Sequence, residues 1–162
     1  LELSRIESGN MSFHCEDCSA HHFAETVYQT HQVIILPPVE FIKEFPDEDV
    51  TIHIDRMRLT QVITNFLGNA KKFTSQGHIK LGYFCDKEKK EIHIFVEDTG
   101  AGIPKEELQM IFERFYKRNE FVQGVGLGLA ISKVIVEKMN GHIDVQSEVN
   151  KGSRFTAVLP YL

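Results

Sequence analysis

Glu97-Asp98-Thr99-Gly100-Ala101-Gly102-Ile103-Pro104 is the stretch from which the fold of this 162-residue chain is read. It closes an alternating run, Glu91 to Val96, in which Ile92, Ile94 and Val96 share one face of a strand while His93, Phe95 and Glu97 share the other. That parity carries Asp98 onto the apolar, covered face. A carboxylate delivered there is costly unless donors meet it, and the two glycines let the backbone turn sharply and lie close to a ligand.

Upstream, Gly77 to Phe84 pairs with Glu91 to Asp98 as an antiparallel hairpin around the polar turn Asp86-Lys87-Glu88-Lys89-Lys90. Before it, Asp55 to Lys72 has the strongest helical period in the sequence. Leu59, Val62, Ile63, Phe66, Leu67 and Ala70 fall in one arc, and Arg58, Gln61, Asn65, Asn69 and Lys72 form a second stripe roughly 130° away. Asparagine is a poor helix former, so Asn65 and Asn69 one turn apart ask for a reason, and both amides can reach one object. Downstream, Lys105 to Phe115 reads as a short helix led by Pro104, with Leu108, Ile111, Phe112 and Phe115 inward. Tyr116 to Gln123 reads as a mobile loop. Gly124-Val125-Gly126-Leu127-Gly128 then opens a helix running to about Met139, where exposed N–H groups and the helix dipole suit phosphate. His142 to Gln146 and Arg154 to Leu159 are two closing strands around Asn150-Lys151-Gly152-Ser153.

At the other end, Leu1 to Ile6 reads as the end of a helix stopped at Gly9, and Met11 to Glu16 has strand character. Ser19 caps a helix from about Ala20 to Ile34, closed by Pro37 and Pro38; Val39 to Phe45 and Val50 to Ile54 are short strands. Cys15, Cys18, His21 and His22 crowd four zinc-type ligands into eight residues, whereas zinc sites usually draw ligand pairs from two separated segments. Three cysteines argue against a complete disulfide framework and for a reducing, cytoplasmic setting, with anchoring of a parent protein in the inner membrane left open. A net charge of −5 gives no general footprint for nucleic acid, and no apolar run approaches the ~20 residues of a membrane span. The start at Leu1, without methionine, suggests a piece of a longer protein.

Two chemistries compete for Asp98. Asp98-Thr99-Gly100-Ala101 matches an aspartic protease loop, which needs a second carboxylate to share a proton and leaves Asn65, Asn69 and the glycine-led helix unexplained. Asp98-x-Gly100-x-Gly102 matches a loop that reads adenine. Taken with Asn65-x-x-x-Asn69-Ala70-Lys71-Lys72-Phe73, Phe112-x-x-Phe115 and Gly124-x-Gly126-x-Gly128 in that order, it resembles the ATP-binding catalytic domain of sensor histidine kinases. These share a superfamily with gyrase, mismatch-repair ATPases and heat-shock chaperones.

The resemblance implies an α/β (α+β) two-layer sandwich, the Bergerat ATP-binding fold: a mixed, mostly antiparallel sheet with about three helices on one face. Residues 10–162 would form that domain, and residues 1–9, with Leu3-Ser4-Arg5-Ile6-Glu7-Ser8-Gly9, would be the exit of a dimerisation and phosphoacceptor helix or a linker. ATP and Mg²⁺ are the implied ligands. Asp98 would accept from the adenine amine, with Gly100, Gly102 and Ile103 close to the base and Phe73 and Phe115 lining its pocket. Asn69 would bind Mg²⁺ with help from Asn65. Lys72 would pair with phosphate, as would Lys117 or Arg118 at the edge of the lid. Gly124, Gly126, Leu127 and Gly128 would supply backbone donors, and Thr156 would reach the adenine region through water. Val125 departs from the family, which usually has a small hydroxylic residue or glycine there. ATPase branches resemble one another in placing a glutamate base at position 65, where this chain has an amide that cannot take a proton. Transfer of the γ-phosphoryl group to histidine is therefore implied, within a homodimeric parent and with a response-regulator receiver as partner. A catalytically silent ATP-binding module of the same fold is the alternative. None of the eight histidines is followed by Asp or Glu, the family's acceptor pattern, so this fragment is expected to bind ATP without phosphorylating itself.

Overall fold

Helix formation begins where a side chain satisfies the first free N–H groups. A computed structural model describes residues 12–113 and 128–161. In it Ser19 caps helix α1 (Ala20–Gln32), its hydroxyl accepting from the His22 N–H at 3.0 Å. Asp49 braces that cap, bonded to the Ser19 hydroxyl and accepting from the His21 N–H at 2.9 Å. Asp55 caps helix α2 (Arg56–Phe73), accepting from the Arg58 N–H at 3.1 Å and the His14 N–H at 2.8 Å. A cap of this kind contributes about 1 kcal/mol. Helix α3 is Gly128–Lys138.

The apolar arc read for α2 is the arc it buries: Leu59, Val62, Ile63, Phe66, Leu67 and Ala70 are all core residues. Each large one contributes roughly 2 kcal/mol on leaving water, which outweighs the weak helix propensity of the asparagines on the other side. The arc lies on a five-stranded sheet formed by β2 (Val39–Glu44), β4 (Gly77–Asp86), β5 (Glu91–Asp98), β6 (His142–Glu148) and β7 (Gly152–Pro160). The spatial order is β2-β4-β5-β7-β6, with β2 parallel to β4 and every other pair antiparallel. The three helices cover one face, giving the expected two-layer sandwich. Strands β1 (Glu16–Ser19) and β3 (Thr51–Ile54) form a separate antiparallel pair. No helix of the described residues is long and apolar enough to cross a membrane.

Strand parity holds across the central sheet. Ile92, Ile94, Val96 and Asp98 are all buried on the helix side, opposite Leu159, Ala157, Phe155 and Ser153 of β7. On the other side Phe95 is buried under the Arg154 guanidinium, 4.0 Å from its ring centroid, and Arg154 is held there by Glu97 at 3.0 Å.

Two expected elements differ. The segment after Pro104 is one 3₁₀ turn, Lys105–Glu107, followed by turns rather than a continuous α-helix. Its bonds, Glu107 N–H to Pro104 O, Leu108 to Lys105, Met110 to Glu107 and Glu113 to Met110, all reach back three residues. Burial of Ile111 fixes this short segment without the four-residue ladder. The first strand lies at Glu16–Ser19, not Met11 to Glu16, and runs straight into α1. Cys18 explains the shift: it acts as a small hydrophobe paired with buried Ile52. Burial also pushes its thiol up from the usual range, against the thiolate that zinc requires. The Cys15-Cys18-His21-His22 cluster is thus split between an exposed residue before β1, a buried strand residue and a helix start. The expected Leu1 to Ile6 helix lies outside the described residues.

Candidate functional site

Helix α2 is the element on which the pieces of the site converge. Its polar stripe puts Asn65 and Asn69 half-buried on one side, Lys72 exposed one turn further, and Phe73 half-buried as the last helical residue. Earlier in the stripe Arg58 donates to the Gln61 side chain at 3.3 Å.

At the C-terminal end of α2, the Asp98 loop docks on the helix. Ala101 N–H donates to Phe73 O at 3.2 Å, and Gly100 lies so close that a Cβ there would stand 2.3 Å from Phe73 O and 2.7 Å from Thr74 Oγ1. Any side chain at position 100 would push the loop off the helix. Gly102, at φ +72°, is equally constrained by Glu148 O, 2.0 Å from its ideal Cβ. Both glycines therefore have a structural reason at this spot besides approach to a ligand. Asp98 is buried, and its Oδ1 accepts from the Gly100 N–H at 2.8 Å, which fixes the carboxylate plane. The buried Thr74 hydroxyl beside Gly100 has no hydrogen-bond partner among the described residues.

Near the middle of α2, the glycine-led helix arrives. Gly128 faces Asn65, whose Oδ1 lies 2.1 Å from the position a Gly128 Cβ would take. Asn65 and Phe73 are eight residues apart, about 12 Å of helix. The loop carrying Asp98 at the C-terminal end of α2 and the start of α3 at its middle thus flank Asn69 on one stripe.

Thr156 lies on strand β7. It pairs with Phe95, so its side chain belongs to the sheet face away from Asp98. The hydroxyl on Asp98's own face is Ser153, its direct cross-strand partner and also buried. Ser153 Oγ lies 2.8 Å from Ser147 Oγ, and Ser147 accepts from the Ile103 N–H at 2.7 Å, so buried Ile103 is tied to the same rim. Phe115, Lys117, Arg118, Gly124, Gly126 and Leu127 lie outside the described residues. Among the described residues one group has metal-ligand composition away from α2: Asp86, Glu91 and His93 at the far end of the β4–β5 hairpin, on the face opposite the helices. All three are partly exposed, as a solvated hairpin end should be.

The family described as histidine kinase-, DNA gyrase B-, and HSP90-like ATPase matches residues 54–162. Sensor histidine kinase WalK of Bacillus subtilis is 34% identical over 166 residues, covering 99% of this chain and 27% of WalK. The chain thus spans about a quarter of the length of that relative. Full-length ShkA in complex with AMPPNP superposes with a TM-score of 0.90 at 26% identity, covering 99% of this chain and 34% of ShkA. The catalytic domain of histidine kinase ThkA, in a nucleotide-free form, superposes at 0.80 and 28% identity over 92% of this chain and 97% of its own. The family match spans more than half of the chain, which therefore belongs to the histidine kinase-, DNA gyrase B-, and HSP90-like ATPase family.

Proposed function

We propose that residues 10–162 are the ATP-binding catalytic domain of a sensor histidine kinase, and that residues 1–9 join it to a dimerisation and phosphoacceptor domain. The observation that carries the reading is the convergence on α2 of a buried, oriented carboxylate at its C-terminal end and a glycine-led helix start beside an amide near its middle. A carboxylate oxygen accepts from the exocyclic amine of adenine and repels the carbonyl that guanine shows at that position. Asp98 is therefore the selector of ATP. Ser153 replaces Thr156 as the hydroxyl on the rim of the base, and the orphaned Thr74 hydroxyl suits a water-bridged contact behind the loop.

The donor set also fits Mg²⁺. Amide oxygens are hard ligands, and the half-buried Asn69 and Asn65 stand between the base loop and the helix start. Asn69, with Asn65, would hold the ion, which would supply neutralisation of phosphate charge. Lys72, Lys117 and Arg118 at the phosphates, with Phe115 at the base and Gly124, Gly126 and Leu127 at the phosphates, are proposed contacts carried from the family resemblance.

Position 65 separates transfer from hydrolysis. An amide cannot deprotonate water, so the favoured reaction moves the γ-phosphoryl group in line to a histidine nitrogen: a P–N bond forms, the β–γ bridging P–O bond breaks, and ADP leaves. Positioning and charge neutralisation supply the rate. The acceptor histidine and a response-regulator receiver domain are the proposed partners, within a homodimeric parent in the cytoplasm or anchored to its membrane. The test incubates the chain and its parent's phosphoacceptor domain with ATP labelled in the γ-phosphate. Acid-labile, base-stable label on the acceptor is the expected result. ATP binding with no transferred label would instead identify a silent regulatory module.

A further inference from the structure

We infer that Ser132 is a positioning residue for Asn65, setting which end of the Asn65 amide faces the phosphate side of the site; this rests on the kinase reading above. The inward positions of α3 are otherwise apolar, with Ala130, Ile135, Val136 and Met139 at or just past its end buried in the core. Ser132 stands among them at 1% exposure. A hydroxyl there costs free energy unless it is bonded, and alanine would be both smaller and the better helix former. Packing and propensity therefore give no reason for serine. The bond does: Asn65 Nδ2 donates to Ser132 Oγ at 3.4 Å, at the long end of the range, as is common in catalytic sites before charge arrives.

Gly128 and Ser132 are four residues apart, so they lie one above the other on the face of α3 that meets α2. Gly128 provides the room and Ser132 the polarity. The two ends of a carboxamide have nearly the same shape, so sterics alone let it settle either way round. The Ser132 oxygen is the acceptor in its bond to Asn65, so it faces the NH₂ end of the amide. Ser132 then selects the amide NH₂, and Asn65 Oδ1 is turned toward Gly128, the first residue of α3. An oxygen in that direction can meet a cation held by phosphates at the helix start; an NH₂ group would repel it.

The test uses the parent kinase with Ser132→Ala, Ser132→Thr, Asn65→Ala and the Asn65→Ala/Ser132→Ala pair. Ser132→Ala should lower kcat for histidine phosphorylation by about threefold to tenfold, the scale of one hydrogen bond, with KM for Mg·ATP within about twofold of the original. Ser132→Thr, which keeps the hydroxyl, should restore kcat, and Ser132→Ala should add nothing once Asn65 is alanine. A second readout needs no activity. In the isolated chain without nucleotide, the Asn65 side-chain amide resonances should shift in Ser132→Ala and return toward their original position in Ser132→Thr. An equal loss of kcat with and without the Asn65 side chain, or unmoved Asn65 resonances, overturns the inference. A parent that makes no phosphohistidine with all its residues intact overturns the kinase reading instead, and the resonances still decide between Ser132 and no contact.

Discussion

Asp98→Asn lowers the affinity of this chain for ATP by about tenfold to a hundredfold, the loss of a charge-assisted hydrogen bond worth about 1.5 to 3 kcal/mol. The local geometry makes the substitution more than a loss of charge. Asp98 Oδ1 already accepts from the Gly100 N–H at 2.8 Å. In the asparagine variant that N–H still needs an acceptor, so the amide oxygen stays with Gly100 and the NH₂ group turns toward the base. Two donors then face each other across the adenine amine. Calorimetric titration checks the affinity, and the melting temperature checks that the loop remains docked on Phe73. An unchanged dissociation constant would remove Asp98 from the base site.

The second large effect is at Asn69. Replacing it with alanine should cut phosphoryl transfer by about two orders of magnitude, the scale for removing a group that meets charge in the transition state. Stability should move the other way. Asn69 is a half-buried residue in the interior of α2, and alanine is the better helix former by roughly 0.5 kcal/mol. A chain that melts slightly higher and transfers far less phosphate identifies a residue kept for chemistry. Loss of activity together with loss of stability would make Asn69 a structural residue. Transfer assayed over a range of Mg²⁺ concentrations checks the assigned role, since a missing metal ligand should raise the Mg²⁺ required.

Much of this site could be read from residue order because two periodicities are rigid. Alternation through Ile92, Ile94 and Val96 put Asp98 on the buried face, where it is found. The 3.6-residue period separates the core arc of α2 from Asn65 and Asn69 by local spacing alone. What could not be read depends on pairings between distant segments. Thr156 and Ser153 are both hydroxyls on one strand, and only the register of β7 against β5, which sets Ser153 opposite Asp98, decides which one shares its face. That register links residues more than fifty positions apart, with a helix and another strand between them. No local pattern encodes it.

The role of the glycines was legible only in part, for a similar reason. Gly100 and Gly102 read as freedom to approach a ligand, yet each is also required by a backbone carbonyl from elsewhere, Phe73 O and Glu148 O. The segment after Pro104 misled through its spacing: Leu108, Ile111 and Phe112 fit a helical face, but three-residue turns also bring apolar side chains inward. Ser132 gave no signal by itself, since its meaning lies in the Asn65 amide across the α2–α3 contact.

In the proposed site Asp98, at the end of β5, reads adenine while the α2 stripe holds phosphate and metal. The measurement that bears on it most directly is calorimetric titration of the chain with Mg·ATP and, separately, Mg·GTP. Saturable ATP binding is expected, with GTP binding weaker by at least about tenfold, because guanine sets a carbonyl oxygen against the carboxylate. Equal affinities for the two nucleotides would contradict it.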